Sequence, residues 1–184
     1  MSDISDTIEW VEITGGSGRA VPVQGHSINT DVIIPARFLK NITWEELGER
    51  QAAFHDKRYK DGQLTDHPFN LPQYQGARIL LVNKDFGSGS SREHAPQALY
   101  HWGIHVIVSE SYADIFEKNC RRTGIPAVTV LHEGMETLMR LVQQTPELEL
   151  RIDLNRKILS YGSGDSYREI PINIPEPTRI ALTR

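Results

Sequence analysis

The stretch Arg78-Ile79-Leu80-Leu81-Val82-Asn83-Lys84-Asp85-Phe86-Gly87-Ser88-Gly89-Ser90-Ser91-Arg92-Glu93-His94 decides the fold. An unbroken apolar run of strand length passes through closely spaced glycines into a segment, Ser90 to Trp102, with helical spacing. The pattern recurs immediately. His105 to Ser109 predicts a second buried strand, Tyr112 to Arg122 a second helix, and Ala127 to Leu131 a third strand. Strands alternating with helices predict an α/β domain with a parallel sheet and right-handed crossovers.

Outside this centre the signals change. Ile8 to Val23 reads as a β-hairpin turning at Thr14-Gly15-Gly16-Ser17-Gly18. Thr43 to Arg58 has helical spacing and a Thr43/Glu46 capping pair. Tyr59 to Tyr74 carries Asp61-Gly62, Pro68 and Pro72 and predicts a loop, long enough to be suspected of function. A further helix is expected from Met135 to Gln144. Leu148, Leu150, Ile152 and Leu154 then alternate strictly up to an Asn155-Arg156 turn, and Ile158 to Tyr161 returns, so the C-terminal part is expected to be antiparallel. One domain spanning 1–184 is the default for this length.

Composition excludes several classes of function. A formal net charge of -4 leaves no cationic excess for a phosphate backbone, so no nucleic-acid partner is expected. The acidic start, with Asp3, Asp6 and Glu9, is unlike a signal or transit peptide, and no window approaches the roughly 18 apolar residues of a membrane span. A cytoplasmic protein with no membrane association is the expectation. A single cysteine, Cys120, permits no internal disulfide and no self-contained cysteine-ligated cluster or zinc site. The histidines His26, His55, His67, His101, His105 and His132 show no metal-ligand spacing, so no metal site is expected in this chain. Cys120 reads most simply as a core thiol, His94 as a residue stabilising its own loop, and Arg121 and Arg122 as complements to a helix C-terminus.

Chemistry concentrates in the run from Asp85 to His94. A helix start leaves backbone N–H groups unpaired and carries about half a positive charge, so small residues there admit an anion. Gly87 and Gly89 allow close approach, Ser90 and Ser91 contribute hydroxyls, and Arg92 adds a planar donor fork suited to a carboxylate. Ser90 and Glu93 also fit a plain capping box, which leaves Arg92 unexplained. A nucleotide-phosphate site lacks both the Gly-x-x-x-x-Gly-Lys-Ser/Thr and the full Gly-x-Gly-x-x-Gly pattern. Asp31, read locally, is an Asx turn or cap ahead of Pro35, and Leu39 is as readily a core leucine.

The run Gly87 to His94 resembles the signature of the swivelling domain of the aconitase superfamily. Its continuation, His94-Ala95-Pro96-Gln97-Ala98-Leu99, resembles the isopropylmalate dehydratase small-subunit branch. Two further stretches match in order: Asn29-Thr30-Asp31-Val32-Ile33-Ile34-Pro35-Ala36-Arg37-Phe38-Leu39, and Ser111-Tyr112-Ala113-Asp114-Ile115-Phe116-Glu117-Lys118-Asn119. The resemblance spans about residues 8–175. It implies a three-layer β/β/α domain and a hydro-lyase that removes and re-adds water across adjacent carbons of a hydroxy-dicarboxylate. It also implies a heterodimer or higher assembly, in which a large subunit carries a [4Fe–4S] cluster and this chain carries no cofactor.

Carried over residue by residue, Ser90 is the base, with Asp31 beside it. Thr30, Gly89, Ser91 and Arg92 bind substrate, and Phe38, Leu39 and Lys40 form the loop that reads the substituent. Relatives acting on homoaconitate, citraconate or dimethylmalate share these motifs, and a non-catalytic dicarboxylate-binding module keeps the same helix-start site. The chain also ends sooner after Pro175 and Pro177 than many members, whose longer ends contribute to partner contacts.

Overall fold

A computed structural model describes residues 16–40, 43–48 and 50–183. In chain order, β1 (Gly16–Val23) is followed by two single-turn helices, α1 (Thr30–Ile33) and α2 (Trp44–Leu47), with a 3-10 turn over Ala36–Leu39 between them. Next come α3 (His55–Arg58), a small hairpin of β2 (Tyr59–Lys60) and β3 (Gln63–Leu64), and two 3-10 turns. The central units are β4 (Ile79–Val82), α4 (His94–Trp102), β5 (Val106–Ser109), α5 (Asp114–Thr123) and β6 (Ala127–Thr129). The chain continues through α6 (His132–Gln144), β7 (Glu149–Asp153), β8 (Ile158–Tyr161), β9 (Arg168–Pro171) and α7 (Glu176–Thr183).

Seven strands form one sheet in the order β6-β5-β4-β1-β7-β8-β9. The two halves have different character, and β1 joins them. Its first residues pair antiparallel with β7, Gly18 opposite Leu150, and its last residues pair parallel with β4, Val23 opposite Val82. The parallel half, β1-β4-β5-β6, has the continuous apolar runs of strands covered on both faces, and every residue of β4 and β5 is buried. The antiparallel half alternates, with Leu150 and Ile152 buried and Glu149 and Arg151 exposed. After β9 the chain returns to the opposite edge. Asn173 and Thr129 exchange backbone hydrogen bonds of 2.9 and 2.8 Å, so the sheet curls until its ends nearly meet.

The mixed α/β architecture agrees with expectation, and three local expectations need correction. Ile8 to Gly15 lies outside the described residues, but Gly16 to Gly18 are strand, not turn. A Cβ on Gly18 would lie 3.0 Å from the Cβ of Arg78, so glycine serves a close crossing between neighbouring chain segments rather than a reversal. The helix expected over Thr43 to Arg58 is interrupted: the Thr43/Glu46 capping box forms, but Gly48 and Phe54 take positive φ of 73° and 53°. Arg58, buried, donates to the carbonyls of Arg50 and Ala53 and to Asn70 Oδ1, which holds the intervening chain in its non-helical path. Tyr59 to Tyr74 is not featureless, since it contains the β2–β3 hairpin and both 3-10 turns. Among the described residues no helix is long and apolar enough to cross a membrane.

Candidate active site

The site lies where the carboxyl ends of adjacent parallel strands deliver their loops side by side, the usual place for ligands in such sheets. Beyond Val23 and Val82 the pairing of β1 and β4 continues between loops. Ser27 N–H donates to Lys84 O, Gly87 N–H to Ile28 O, and Thr30 N–H to Ser88 O, at 2.8–2.9 Å. The loop after β5 joins on the other side, with Phe86 N–H donating to Ser111 O at 3.1 Å and Ala113 N–H to Phe86 O at 3.2 Å. Backbone geometry therefore fixes the glycine loop from both flanks.

The glycines do different work. Gly87 has φ of 83°, and a Cβ there would lie 2.1 Å from Cγ of Phe116, so α5 packs directly onto the loop backbone. Phe86 meets Phe116 edge to face at 5.2 Å. Gly89, with φ of 92°, stands exposed at the mouth of the site.

Helix α4 begins at His94, not at Ser90 as expected. Ser90, Ser91 and Arg92 form the approach to the helix rather than its first turn. No Ser90/Glu93 capping box forms, because Glu93 turns toward α5 and meets Arg122 at 3.1 Å. Arg121 and Arg122 lie in the last turn of α5, as expected, and Arg122 also makes this cross-element pair.

Ser90 and Ser91 are exposed and line an open cleft of about 280 Å³ together with Thr30, Gly89 and Arg92. The opposite wall is the start of α5, Ala113 to Phe116, with Asn119 behind it. That wall belongs to the Ser111 to Asn119 motif, none of whose residues is among the expected site residues. Its signal was the motif itself, immediately after a buried strand.

Thr30 is buried and its hydroxyl donates to the carbonyl of Ser90 at 2.7 Å. Asn29, not Asp31, caps α1 by accepting from Val32 N–H. Asp31 is exposed and does not line the cleft, but its carboxylate lies 2.6 Å from Nη2 of Arg92, which does. Arg92 is largely enclosed, and its Nη1 is buried with no hydrogen-bond partner among the described residues. A buried donor in that state costs about 1–3 kcal/mol, which a ligand oxygen would recover.

Phe38, Leu39 and Lys40 do not line this cleft. Phe38 and Leu39 are half-buried in the 3-10 turn after Pro35, Phe38 stands edge-on to His55 at 4.8 Å, and Lys40 is exposed. His94 stays near Trp44, with ring centroids 6.5 Å apart, in keeping with a structural role. Cys120 is wholly buried, and burial pushes its thiol well above the ordinary range.

Comparisons with known proteins converge. The aconitase C-terminal domain family matches residues 12–133. The 3-isopropylmalate dehydratase small subunit of Thermus thermophilus is 47% identical over 166 residues, 90% of this chain and 80% of that protein. Its counterpart from Synechocystis is 47% identical over 145 residues, 79% of this chain and 70% of that protein. The crystal structure of 3-isopropylmalate dehydratase from Methanocaldococcus jannaschii has the same fold, with a TM-score of 0.64 at 21% identity, covering 91% of this chain and 86% of that one.

Proposed function

This chain belongs to the 3-isopropylmalate dehydratase small-subunit family, and on that premise we propose how its cleft performs its share of the isomerisation of 2-isopropylmalate and 3-isopropylmalate in leucine biosynthesis. The enzyme is a hydro-lyase that acts with a large subunit. The [4Fe–4S] cluster is the large subunit's, where it supplies Lewis acidity toward substrate oxygens. This chain's donors do not suit such a group: its one cysteine is sealed in the core, and no cluster of three or more His, Cys, Asp or Glu among the described residues could hold a metal ion.

The cleft holds the other half of the chemistry. Arg92 takes a substrate carboxylate on its unmatched Nη1, a planar donor group meeting a planar acceptor group. Gly89 keeps the mouth open and Ser91 adds a hydroxyl to the same carboxylate. Ser90 Oγ takes the proton from the carbon beside that carboxylate. The C–H electron pair becomes the double bond as the neighbouring C–O bond breaks, the departing hydroxide takes up a proton from solvent to leave as water, and the reverse steps re-add water with the positions exchanged.

A serine oxygen acts as a base only in a field that stabilises its anion. Arg92 and the α5 start across the cleft provide that field. Thr30 holds Ser90 through its carbonyl, and Asp31 orients the guanidinium and lies beside the reacting hydroxyl. Phe38, Leu39 and Lys40 lie outside the cleft, so a reading of the branched substituent by this turn, with Leu39 as its apolar contact, is supported by the motif match alone.

The observation that carries this reading is an exposed serine beside a buried, half-unpaired guanidinium in a glycine-opened cleft. Reconstitution of Ser90→Ala with an anaerobically prepared large subunit tests it. Turnover is expected to fall by orders of magnitude with melting temperature and subunit association unchanged. Near-normal turnover removes Ser90 as the base.

A further inference from the structure

Helix α5 starts without a side-chain cap. Its N-cap position is held by Ala113, whose methyl group accepts no hydrogen bond, so the N–H groups of the first turn are met by no capping side chain. That first turn, Asp114 to Phe116, lines the cleft on the wall across from Arg92. An uncapped helix start favours an anion, and a second feature of the same wall supplies a fixed donor for one.

Asn119 lies one turn further along the same face of α5, three residues beyond Phe116 and four beyond Ile115. It is 3% exposed and still lines the cleft. Thr123 Oγ1 donates to its backbone carbonyl at 2.9 Å, but its side-chain amide makes no hydrogen bond to any described residue. Asparagine is a poor residue for a helix interior, and here it neither caps the helix nor bonds across it. A buried amide without a partner is costly unless a ligand meets it. Asp114 is the only carboxylate among the residues lining the cleft, and it stands exposed to water, where its charge is screened.

We propose that the α5 wall is a second carboxylate subsite, in which Asn119 Nδ2 donates to the substrate carboxylate that Arg92 does not hold. The inference rests on the function proposed above, in which Arg92 takes the first carboxylate. Arg92 and Asn119 line opposite walls of a cleft of about 280 Å³, so one dicarboxylate offers an anionic end to each. Two unlike donors also fix which end is which. The charged guanidinium takes the carboxylate beside the carbon that loses its proton to Ser90, and the neutral amide takes the other.

Steady-state kinetics and inhibition of the reconstituted complex test this with two full-length variants. Asn119→Leu removes the amide at similar volume, and its melting temperature is expected to equal or exceed that of wild type, because no protein hydrogen bond is lost. KM for isopropylmalate is expected to rise about tenfold or more, with kcat within about threefold of wild type. The inhibition constant of an alkylsuccinate, which keeps both carboxylates and lacks the hydroxyl, is expected to rise by the same factor, while that of the corresponding alkyl monocarboxylate stays within about twofold. Asn119→Asp keeps the shape of the side chain and cannot donate when ionised, so it is expected to weaken the alkylsuccinate at least as much and carries the test if leucine disturbs folding. Wild-type inhibition by the alkylsuccinate in Asn119→Asp overturns the subsite, and so does equal weakening of both inhibitors in Asn119→Leu. Failure of the base assignment appears separately, as a Ser90→Ala complex that assembles and still turns over.

Discussion

The glycine loop and the segment from Ala36 to Lys40 both carry proposed site residues, but different forces hold them. The loop from Asn83 to Arg92 is bound on both flanks by backbone hydrogen bonds to residues 27–30 and 111–113, and Phe116 presses on Gly87. The Ala36 to Lys40 turn is held by side chains, with Phe38 and Leu39 half-buried against the core and Arg37 at the surface. Arg37 donates to both oxygens of Asp56, at 2.8 and 2.5 Å, with both side chains more than half exposed, and its guanidinium lies 4.7 Å from the Phe38 ring. Atoms that must be placed to a fraction of an ångström for proton transfer sit on main-chain scaffolding. Atoms that sense the shape of a substituent sit on contacts that can yield.

The most damaging way to break this contrast is Gly87→Ala. The added methyl collides with Phe116 and the residue must keep a positive φ, which together cost on the order of 3–5 kcal/mol. Thermal unfolding is expected to show that loss, and the surviving folded fraction is expected to have lost turnover. Stability within about 1 kcal/mol of wild type would show that the loop does not depend on its packing against α5. Thr30→Val probes the same scaffold more gently. It keeps the shape and removes the hydroxyl that holds the Ser90 carbonyl, at a cost of about 1–2 kcal/mol. Turnover is expected to fall about 10–100-fold with a smaller change in KM, because the base is displaced while the carboxylate contact survives. A change confined to KM would place Thr30 among the substrate contacts and not among the positioning residues.

This contrast was only partly legible in the sequence. The parallel strands were, because Ile79 to Val82 and Val106 to Val108 are apolar without interruption, a local pattern with a local cause. So were the residues of the cleft mouth, since Ser90, Ser91 and Arg92 lie in one contiguous run. What escaped were the contacts that cross the chain. Nothing near Gly87 announces Phe116, nothing near Gly18 announces Arg78, and Glu93 reads as a capping partner of Ser90 until the fold brings Arg122 to it. Arg58, bonded to the carbonyls of Arg50 and Ala53, explains why a helical spacing over 43–58 yields only two separate turns. The unmatched Nη1 of Arg92 is likewise a property of burial, to which sequence gives no access.

Arg37→Ala sharpens the comparison from its weaker side and carries the smallest effect. The pair with Asp56 is exposed, so its loss is expected to cost less than about 1 kcal/mol of stability. The hydrogen bond from Arg37 holds the Asp56 carboxyl below its ordinary pKa of 3.8. The pair's contribution is therefore fully present above that pH and disappears as the pH falls through the lower folded-state value, because the unfolded chain takes up the proton first. The wild-type advantage over Arg37→Ala is expected to vanish in acid and to shrink with added salt at neutral pH. In the reconstituted enzyme, with Phe38 and Leu39 less firmly placed, KM is expected to rise severalfold while kcat stays within about twofold of wild type. An equal fall in kcat would mean that this turn is tied to the base as tightly as the glycine loop is, and the division between rigid chemistry and yielding recognition would then fail.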